Sequence, residues 1–592
     1  MEHSGWKPAT SAIFHPLSAI VVLLAGIALA LWSVALGQRP MHNDEAVNGI
    51  KFGQLWDHGG YQYDPNEHHG PSLPYATLVL GRLTGAPQDF DQFTESRLRF
   101  VTVLFGIGLI LLLPLVSDGL GRKATLWAAL FTAVSPAVVF YSRYYIHEVL
   151  LVFFTFLALA AGWRYWRSRK LGWALLAGAG VGLMHATKET FLITLVTAAL
   201  ALGLNQLWNR WLDAASPPAK APRLKLIHFT AALAAWLAVA LLLFSSFFTN
   251  AAGPLDSVRT YLPWLHRAEG ASPHIHPWHF YAHRLLFFHV AKGPVWSEAL
   301  ILMLAVIGAW ASFARKGLAD ASASFIRFLA LYSFGLAAAY SLISYKTPWC
   351  LLSFWHGMIL LAGVGAAVLL GGMRQRFLRL AVGLLLLAGA GHLAWQARLA
   401  NVEYAADPLN PYVYAHTSPD LLNLIRQVEA LAEVHPQGSQ MLVKVMAPDG
   451  DYWPLPWYLR NLKQIDWWDQ VPLAPVMIVA ANLHAGLDEK KTHVMVGYFQ
   501  LRPQVFLELY VELKLWQAYL TKNPPKSETK VEGSMQKAEN PGKATSKPVD
   551  SRQLVKTYIL APPGAGLSSA RGLSLSGCAR ARIRDGRCRV LV

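Results

Sequence analysis

Acids, histidines and cations recur in five short stretches of an otherwise apolar chain. These are His42-Asn43-Asp44-Glu45-Ala46, Tyr63-Asp64-Pro65-Asn66-Glu67-His68-His69-Gly70-Pro71, Tyr141-Ser142-Arg143 running on to His147-Glu148, His185-Ala186-Thr187-Lys188-Glu189-Thr190, and Ser344-Tyr345-Lys346-Thr347-Pro348-Trp349. An ionised carboxylate such as Asp44 can accept a proton from a hydroxyl. Arg143, Lys188 and Lys346 can neutralise a phosphate. His68 and His69 precede an apolar helix, and a helix amino end suits a phosphate. Each group also has a plainer reading. Asp44 can simply cap a helix, Arg143 and Lys346 can snorkel to an interface, and Glu189 can pair with Lys188.

The elements that position these groups follow from composition. Of 592 residues, 54% are hydrophobic and 15% charged, and the mean hydropathy is +0.32. A soluble domain is about a quarter charged, so a soluble enzyme, a disordered chain and a coiled coil are all excluded. A polytopic α-helical membrane protein is expected. Apolar segments of spanning length fall at about 15–36, 99–117, 124–141, 149–163, 171–186, 190–207, 228–248, 295–313, 327–343, 350–371 and 380–397, giving about 11 transmembrane helices. The first is read as a retained anchor rather than a cleaved signal, because its apolar run exceeds the usual signal core.

Sidedness comes from charge. The net charge is +17, and its placement argues against nucleic acid. The even-numbered connections hold 16 Lys/Arg against three Asp (Asp118, Asp213 and Asp320). They are therefore expected to be cytoplasmic, with the amino terminus inside. All five polar stretches then lie on odd connections and face outward.

The first outward loop, 37–98, is too long for a turn. Asn43 or Asp44 is expected to cap an interfacial helix from Glu45 to Asp57, stopped by Gly59-Gly60. Both acids would sit at its positive end, which favours the ionised form.

A span, an outward Asp-Glu and then His-Gly-Pro-Ser-Leu resembles the GT-C class of polyprenol-dependent glycosyltransferases. It is most similar to the family 39 protein O-mannosyltransferases, with the lipid A aminoarabinose transferases as relatives. Gly70 and Ser72 depart from the His-Pro-Pro-Leu or Lys-Pro-Pro-Leu of that group. Closer still is a prokaryotic membrane family described as flippase-activity-associated. Its His-x-Asp-Glu-Ala-Val, Tyr-x-Tyr-Asp-Pro-x-x-x-His-Gly-Pro, Tyr-Ser-Arg, Ala-Thr-Lys-Glu and Trp-Pro-Leu-Pro-Trp-Tyr patterns occur at 42–47, 61–71, 141–143, 186–189 and 453–458. The resemblance implies that Asp44 is the general base with Glu45 as its neighbour. It implies that Glu148, where Asp is usual, positions the acceptor or a divalent metal ion such as Mg or Mn. It also implies that His69 contacts the donor phosphate.

Other features remain open at this level. His147-Glu148 begins a zincin string that fails at Leu151. His276, His279 and His283 have metal-ligand spacing but lack a carboxylate or cysteine in register, so interfacial histidines are the preferred reading. Cys578 and Cys588 could pair or stay free.

Three domains are expected. Residues 1–400 form a GT-C-like transmembrane domain. Residues 401–520 form a small extracytoplasmic α/β domain, with a helix over 418–434 and strands at 441–446 and 476–480. Residues 521–592 form a disordered basic linker and tail, rich in Lys, Pro, Ser and Glu at first. Asp451–Tyr458 can stack on a sugar or, by preference, pack this domain onto the bundle. The expected function is a plasma (inner) membrane glycosyltransferase, inverting, moving a sugar from a polyprenyl-phosphate donor to a protein or glycan hydroxyl at the extracytoplasmic face. The alternatives are a lipid-linked sugar flippase and a non-catalytic partner in glycan assembly.

Overall fold

In the computed structural model, residues 16–66, 69–211, 225–263, 274–448, 450–467, 473–489 and 491–524 are described. His68, His266, the tail and its two cysteines lie outside them. The described residues up to Tyr519 form one compact unit. The helices run α1 (Pro16–Trp32), α2 (Asn43–His58), α3 (Ser72–Leu83), α4 (Glu95–Leu112), α5 (Arg122–Val134), α6 (Pro136–Ser142), α7 (Glu148–Ser168), α8 (Leu171–His185), α9 (Phe191–Trp211), α10 (Leu226–Phe244), α11 (Gly253–Arg259), α12 (Phe280–Leu286), α13 (Ala299–Ala314), α14 (Ala323–Leu342), α15 (Leu352–Gly372), α16 (Arg376–Asn401), α17 (Leu421–Ala432) and α18 (Leu513–Lys522).

Each of the eleven expected apolar segments coincides with a helix, but not all reach spanning length. Among the described residues, seven helices are long and apolar enough to cross a membrane, or eight if the bent pair α5–α6 is one span. The helices α1, α8 and α13 are apolar but shorter, at 17, 15 and 16 residues. Eight spans, counting α5–α6 as one, and these three shorter apolar helices together account for the about eleven apolar segments expected. Periodicity marked every apolar element but did not fix its length, because polar turns consume residues at each end.

The α5–α6 pair bends by 58°. Ser135 lies at the break and Pro136 cannot continue the preceding helix. The bend is held by Glu298, which is fully buried. Its carboxylate accepts from the Ala137 amide (2.9 Å), the Tyr412 hydroxyl (2.6 Å) and the Trp355 indole (3.2 Å), besides Ser135. Elsewhere small residues let helices meet backbone to backbone. A Cβ at Gly308 of α13 would stand 2.2 Å from the Leu361 carbonyl of α15, and one at Gly365 would stand 2.0 Å from the Leu304 carbonyl. Such close contact replaces the hydrophobic driving force that is absent between helices in lipid.

Residues 443–512 build a five-stranded sheet of order β2-β1-β3-β5-β4, where β1 is Val443–Met446, β2 Ile465–Trp467, β3 Val476–Ala480, β4 His493–Arg502 and β5 Val505–Glu512. β1 pairs in parallel with β2 and β3, while β5 runs antiparallel to β3 and β4. α17 buries Leu421, Leu424, Ile425, Val428 and Leu431, at helical spacing. They share a core with Val443, Val445, Ile478 and Leu509.

This sheet region packs into the same body as the helices. Trp457 is fully buried. Its indole donates to Glu95 (2.9 Å), and the Arg460 guanidinium lies 3.9 Å from its ring centre. The Tyr458 hydroxyl accepts from the Met41 amide (2.8 Å), and Thr417 donates to the Met41 carbonyl (2.7 Å). Trp457 therefore packs the two parts together and has no face left for a sugar.

Candidate active site

The helix α2 starts differently from its expected form. His42 is the cap: its Nδ1 accepts the Asp44 amide at 3.1 Å, and its backbone amide donates to Glu45 Oε2 at 3.0 Å. This reciprocal box satisfies two free donors of the first turn. It also leaves the Asp44 carboxylate without capping work. That carboxylate is 49% exposed and accepts no hydrogen bond from the described residues; His42 Nδ1 is 3.8 Å away. Gly59, at φ +71°, ends the helix in the left-handed conformation that costs glycine little.

Glu45 has the opposite setting. It is fully buried and its two oxygens take five donors. Arg99 grips both oxygens at 2.7 Å, Arg39 donates at 3.0 Å, and the amides of His42 and Tyr145 complete the set at 3.0 and 2.9 Å. Burial by itself would raise its pKa; the two guanidinium groups and the bonds from Arg99 and Tyr145 instead hold it down at about 2. Glu45 joins the α1–α2 turn to α4 and to the turn between α6 and α7, the setting of a buried anchor.

Of the expected phosphate ligands, His69 and Lys188 share one neighbourhood, while Arg143 and Lys346 have other partners. His69 Nδ1 lies 2.9 Å from Glu189 Oε2, with its ring against His147. Lys188 forms a buried ion pair with Glu148. Burial works against the Lys188 charge, but Glu148 restores it and raises the ammonium pKa. Arg143 points elsewhere, donating to the Trp32 carbonyl at 3.0 Å. Lys346 is 2% exposed. It donates only to backbone carbonyls, those of Ile343 and His276, so its charge has no carboxylate partner among the described residues.

Gly70 explains one departure from the family pattern. A Cβ there would stand 2.2 Å from the Ala186 carbonyl. The Gly70 amide donates to Thr187 (3.1 Å), the Ser72 amide to Ala186 (2.9 Å), and the Ser72 hydroxyl to Thr187 Oγ1 (2.8 Å). A proline at position 70 would lose its amide bond. Gly70 and Ser72 thus stitch the first long loop to the Thr187-Lys188-Glu189 turn.

The tentative metal role of Glu148 is not supported by its surroundings. Its carboxylate is taken by Lys188, and no group of three His, Cys, Asp or Glu among the described residues is placed to hold a metal ion. The residues present therefore do not fit a resident divalent cation.

The segment 412–416, not singled out from sequence, completes the site. The Tyr414 carbonyl accepts from His42 Nε2 at 3.1 Å, and its hydroxyl meets His274 Nδ1 at 2.8 Å and His276 Nε2 at 3.0 Å. His274 also feels the Asp44 charge. Trp349 closes this wall, its ring 5.8 Å from His42 and 5.9 Å from Tyr414. Asp44, His274, Tyr414 and the His276–Lys346 contact therefore lie in one neighbourhood. Arg39, Arg99 and Glu298 also escaped the sequence reading, although the two arginines carry the same signal as Arg143: cations beside a polar helix end.

Residues 82–252 match the family model "Dolichyl-phosphate-mannose-protein mannosyltransferase". The match includes Arg143, Glu148 and Lys188 and starts after Asp44 and His69. No curated protein sequence matches the chain. Among solved structures, ArnT from Cupriavidus metallidurans in the apo state is similar at TM-score 0.54 and 15% identity, over 83% of this chain and 98% of that one. ArnT from the same organism bound to undecaprenyl phosphate is similar at TM-score 0.50 with the same identity and coverage. At this identity the likeness is one of fold. The chain is a multi-pass membrane protein with the GT-C glycosyltransferase fold, and its residues 82–252 are similar to the dolichyl-phosphate-mannose-protein mannosyltransferase family.

Proposed function

We propose that this protein transfers a sugar from a polyprenyl-phosphate donor to an acceptor hydroxyl, at the extracytoplasmic face of the plasma membrane. The observation that carries the reading is the contrast at the start of α2: Asp44 is an exposed carboxylate that accepts no hydrogen bond from the described residues, while the neighbouring Glu45 is fully buried. ArnT, of the same fold, has been seen with undecaprenyl phosphate.

In the proposed step the acceptor oxygen attacks the anomeric carbon as the carbon–oxygen bond to phosphate breaks. The hydroxyl proton passes to Asp44, and polyprenyl phosphate leaves with the bond's electron pair. A single displacement of this kind inverts the anomeric centre. Lys346 offsets the charge that grows on the departing phosphate, while His274 and Tyr414 orient the acceptor. His69 and Lys188 act indirectly, through Glu189 and Glu148, by fixing the loop that carries Gly70.

The test is incubation of purified protein with radiolabelled polyprenyl-phosphate sugars and tracking of the label. Label moved to a hydroxyl-bearing acceptor supports the reading. Label that crosses a reconstituted bilayer still attached to its lipid, with no transfer, would replace it with the flippase reading.

A further inference from the structure

A groove of about 340 Å³ lies between α3, the amino end of α4 and the carboxyl end of α1. Arg97, Phe100 and Val101 line it from one face of α4, and Leu80, Gly81 and Thr84 line it from one face of α3. Arg99 of α4 grips Glu45. Arg97 is two residues away and so points about 200° around the helix. The groove is therefore on the far side of α4 from the Glu45 anchor.

Its lining is mainly apolar. Residues beside the lining ones in the chain are exposed and apolar as well: Val34 and Val79 at 57% each and Leu83 at 79%. The groove thus continues the lipid-facing surface of α1 and of α4, a helix of full spanning length. A packed protein leaves few voids larger than a water, and wall atoms that face one forgo their dispersion contacts. Water is a poor occupant, because it needs two to four polar partners. The volume falls in the range of about 300–1,000 Å³ seen for pockets that hold small organic ligands, so it admits a hydrocarbon chain.

The rim adds a charge. Arg97 is exposed, and only its backbone amide is engaged, by the Thr94 cap. The acids near it in the chain have other partners: Glu95 accepts from Trp457 at 2.9 Å, and Asp91 pairs with Lys463 at 2.6 Å. Among the described residues the Arg97 guanidinium therefore has no carboxylate partner.

We propose that this groove holds one acyl chain of a phospholipid, with the lipid's phosphate against Arg97. The chain supplies the packing that the small residues Gly81 and Thr84 leave open, and the phosphate supplies the counter-charge. The bound lipid fastens α3 to α1 and α4, and so steadies the helix that follows the Gly70–Ser72 stitch. The inference does not rest on the proposed transfer reaction.

The test uses the full chain, stripped of lipid in a neutral detergent. Adding phosphatidylglycerol should raise the melting temperature saturably, by about 2 °C or more. Arg97→Gln should raise the half-saturating concentration by about fivefold, the worth of one cation at an anionic lipid surface. Thr84→Trp, which fills the groove from its exposed edge, should abolish the rise. Should either variant fail to fold, wild-type protein in discs of chain-brominated phosphatidylglycerol should show bromine density beside Leu80 and Phe100. An equal response in Thr84→Trp, an equal response to diacylglycerol, which lacks the phosphate, or a groove without chain density would overturn the inference. So would displacement of the brominated chain by polyprenyl phosphate, which would make the groove a donor-lipid site.

Discussion

Asp44 and Glu45 are adjacent in sequence and opposite in setting: the Asp44 side chain is 49% exposed, and that of Glu45 is fully buried under Arg39 and Arg99. Adjacent positions on a helix point about 100° apart, and the His42 cap frees one acid while enlisting the other. This division of labour gives the two positions different mutational signatures.

Asp44→Asn should lower turnover by about 10²–10⁴-fold, the usual contribution of a general base, with little change in melting temperature. The donor affinity should be retained, because a base acts mainly in the transition state. Full activity in the folded variant would remove Asp44 from the chemistry.

Glu45→Gln should instead cost stability. It leaves two buried guanidinium groups short of their carboxylate, and breaking such a pair typically costs about 3–5 kcal/mol. Thermal unfolding of the two variants side by side is the measurement. A Glu45→Gln protein as stable as the wild type, with only turnover reduced, would restore Glu45 to a catalytic role.

The two buried lysines should also separate. Lys346→Ala should weaken binding of a polyprenyl-phosphate sugar by roughly 10- to 100-fold, the worth of a hydrogen bond to a charged group. Lys188→Met should chiefly destabilise, since it strands the Glu148 charge. Binding isotherms and melting curves distinguish them, and loss of donor binding in Lys188→Met at unchanged stability would show that Lys188, not Lys346, meets the phosphate.

His276 gives the pH dependence its sign. Burial, then Arg284, His274 and Lys346, pull its pKa down to about 4, below the ordinary value near 6.5. The unfolded chain therefore takes up more protons in that window, and the stability present above pH 6.5 is lost as pH falls from 6.5 toward 4. Melting curves across this range should be steeper for the wild type than for His276→Gln. Parallel curves would mean that His276 is solvated and titrates normally.

Sidedness can be read by labelling single cysteines at Ser168 and His58. The former should react from the cytoplasm and the latter from outside. Reaction of both from one side would overturn the assignment of the site to the extracytoplasmic face.

The sequence by itself determined the class of molecule and the position of every apolar helix. Low charge and sustained apolar runs leave no other solvent for those segments than lipid. It also located β1 and β3, because short buried runs of Val, Ile and Met between chain breaks pack as strands. The roles within the motifs were decided only by tertiary structure. Whether an acid is a base or an anchor depends on which cations reach it, and Arg39, Arg99 and Glu45 meet through the α1–α2 turn and α4, which no local pattern reveals. Lys188 and Lys346 look alike in sequence, yet one is paired with Glu148 and the other is held by carbonyls alone. His42 displaced Asn43 and Asp44 as the cap because Tyr414, some 370 residues along the chain, fixes its ring through Nε2. That contact across the fold is what leaves the Asp44 carboxylate exposed.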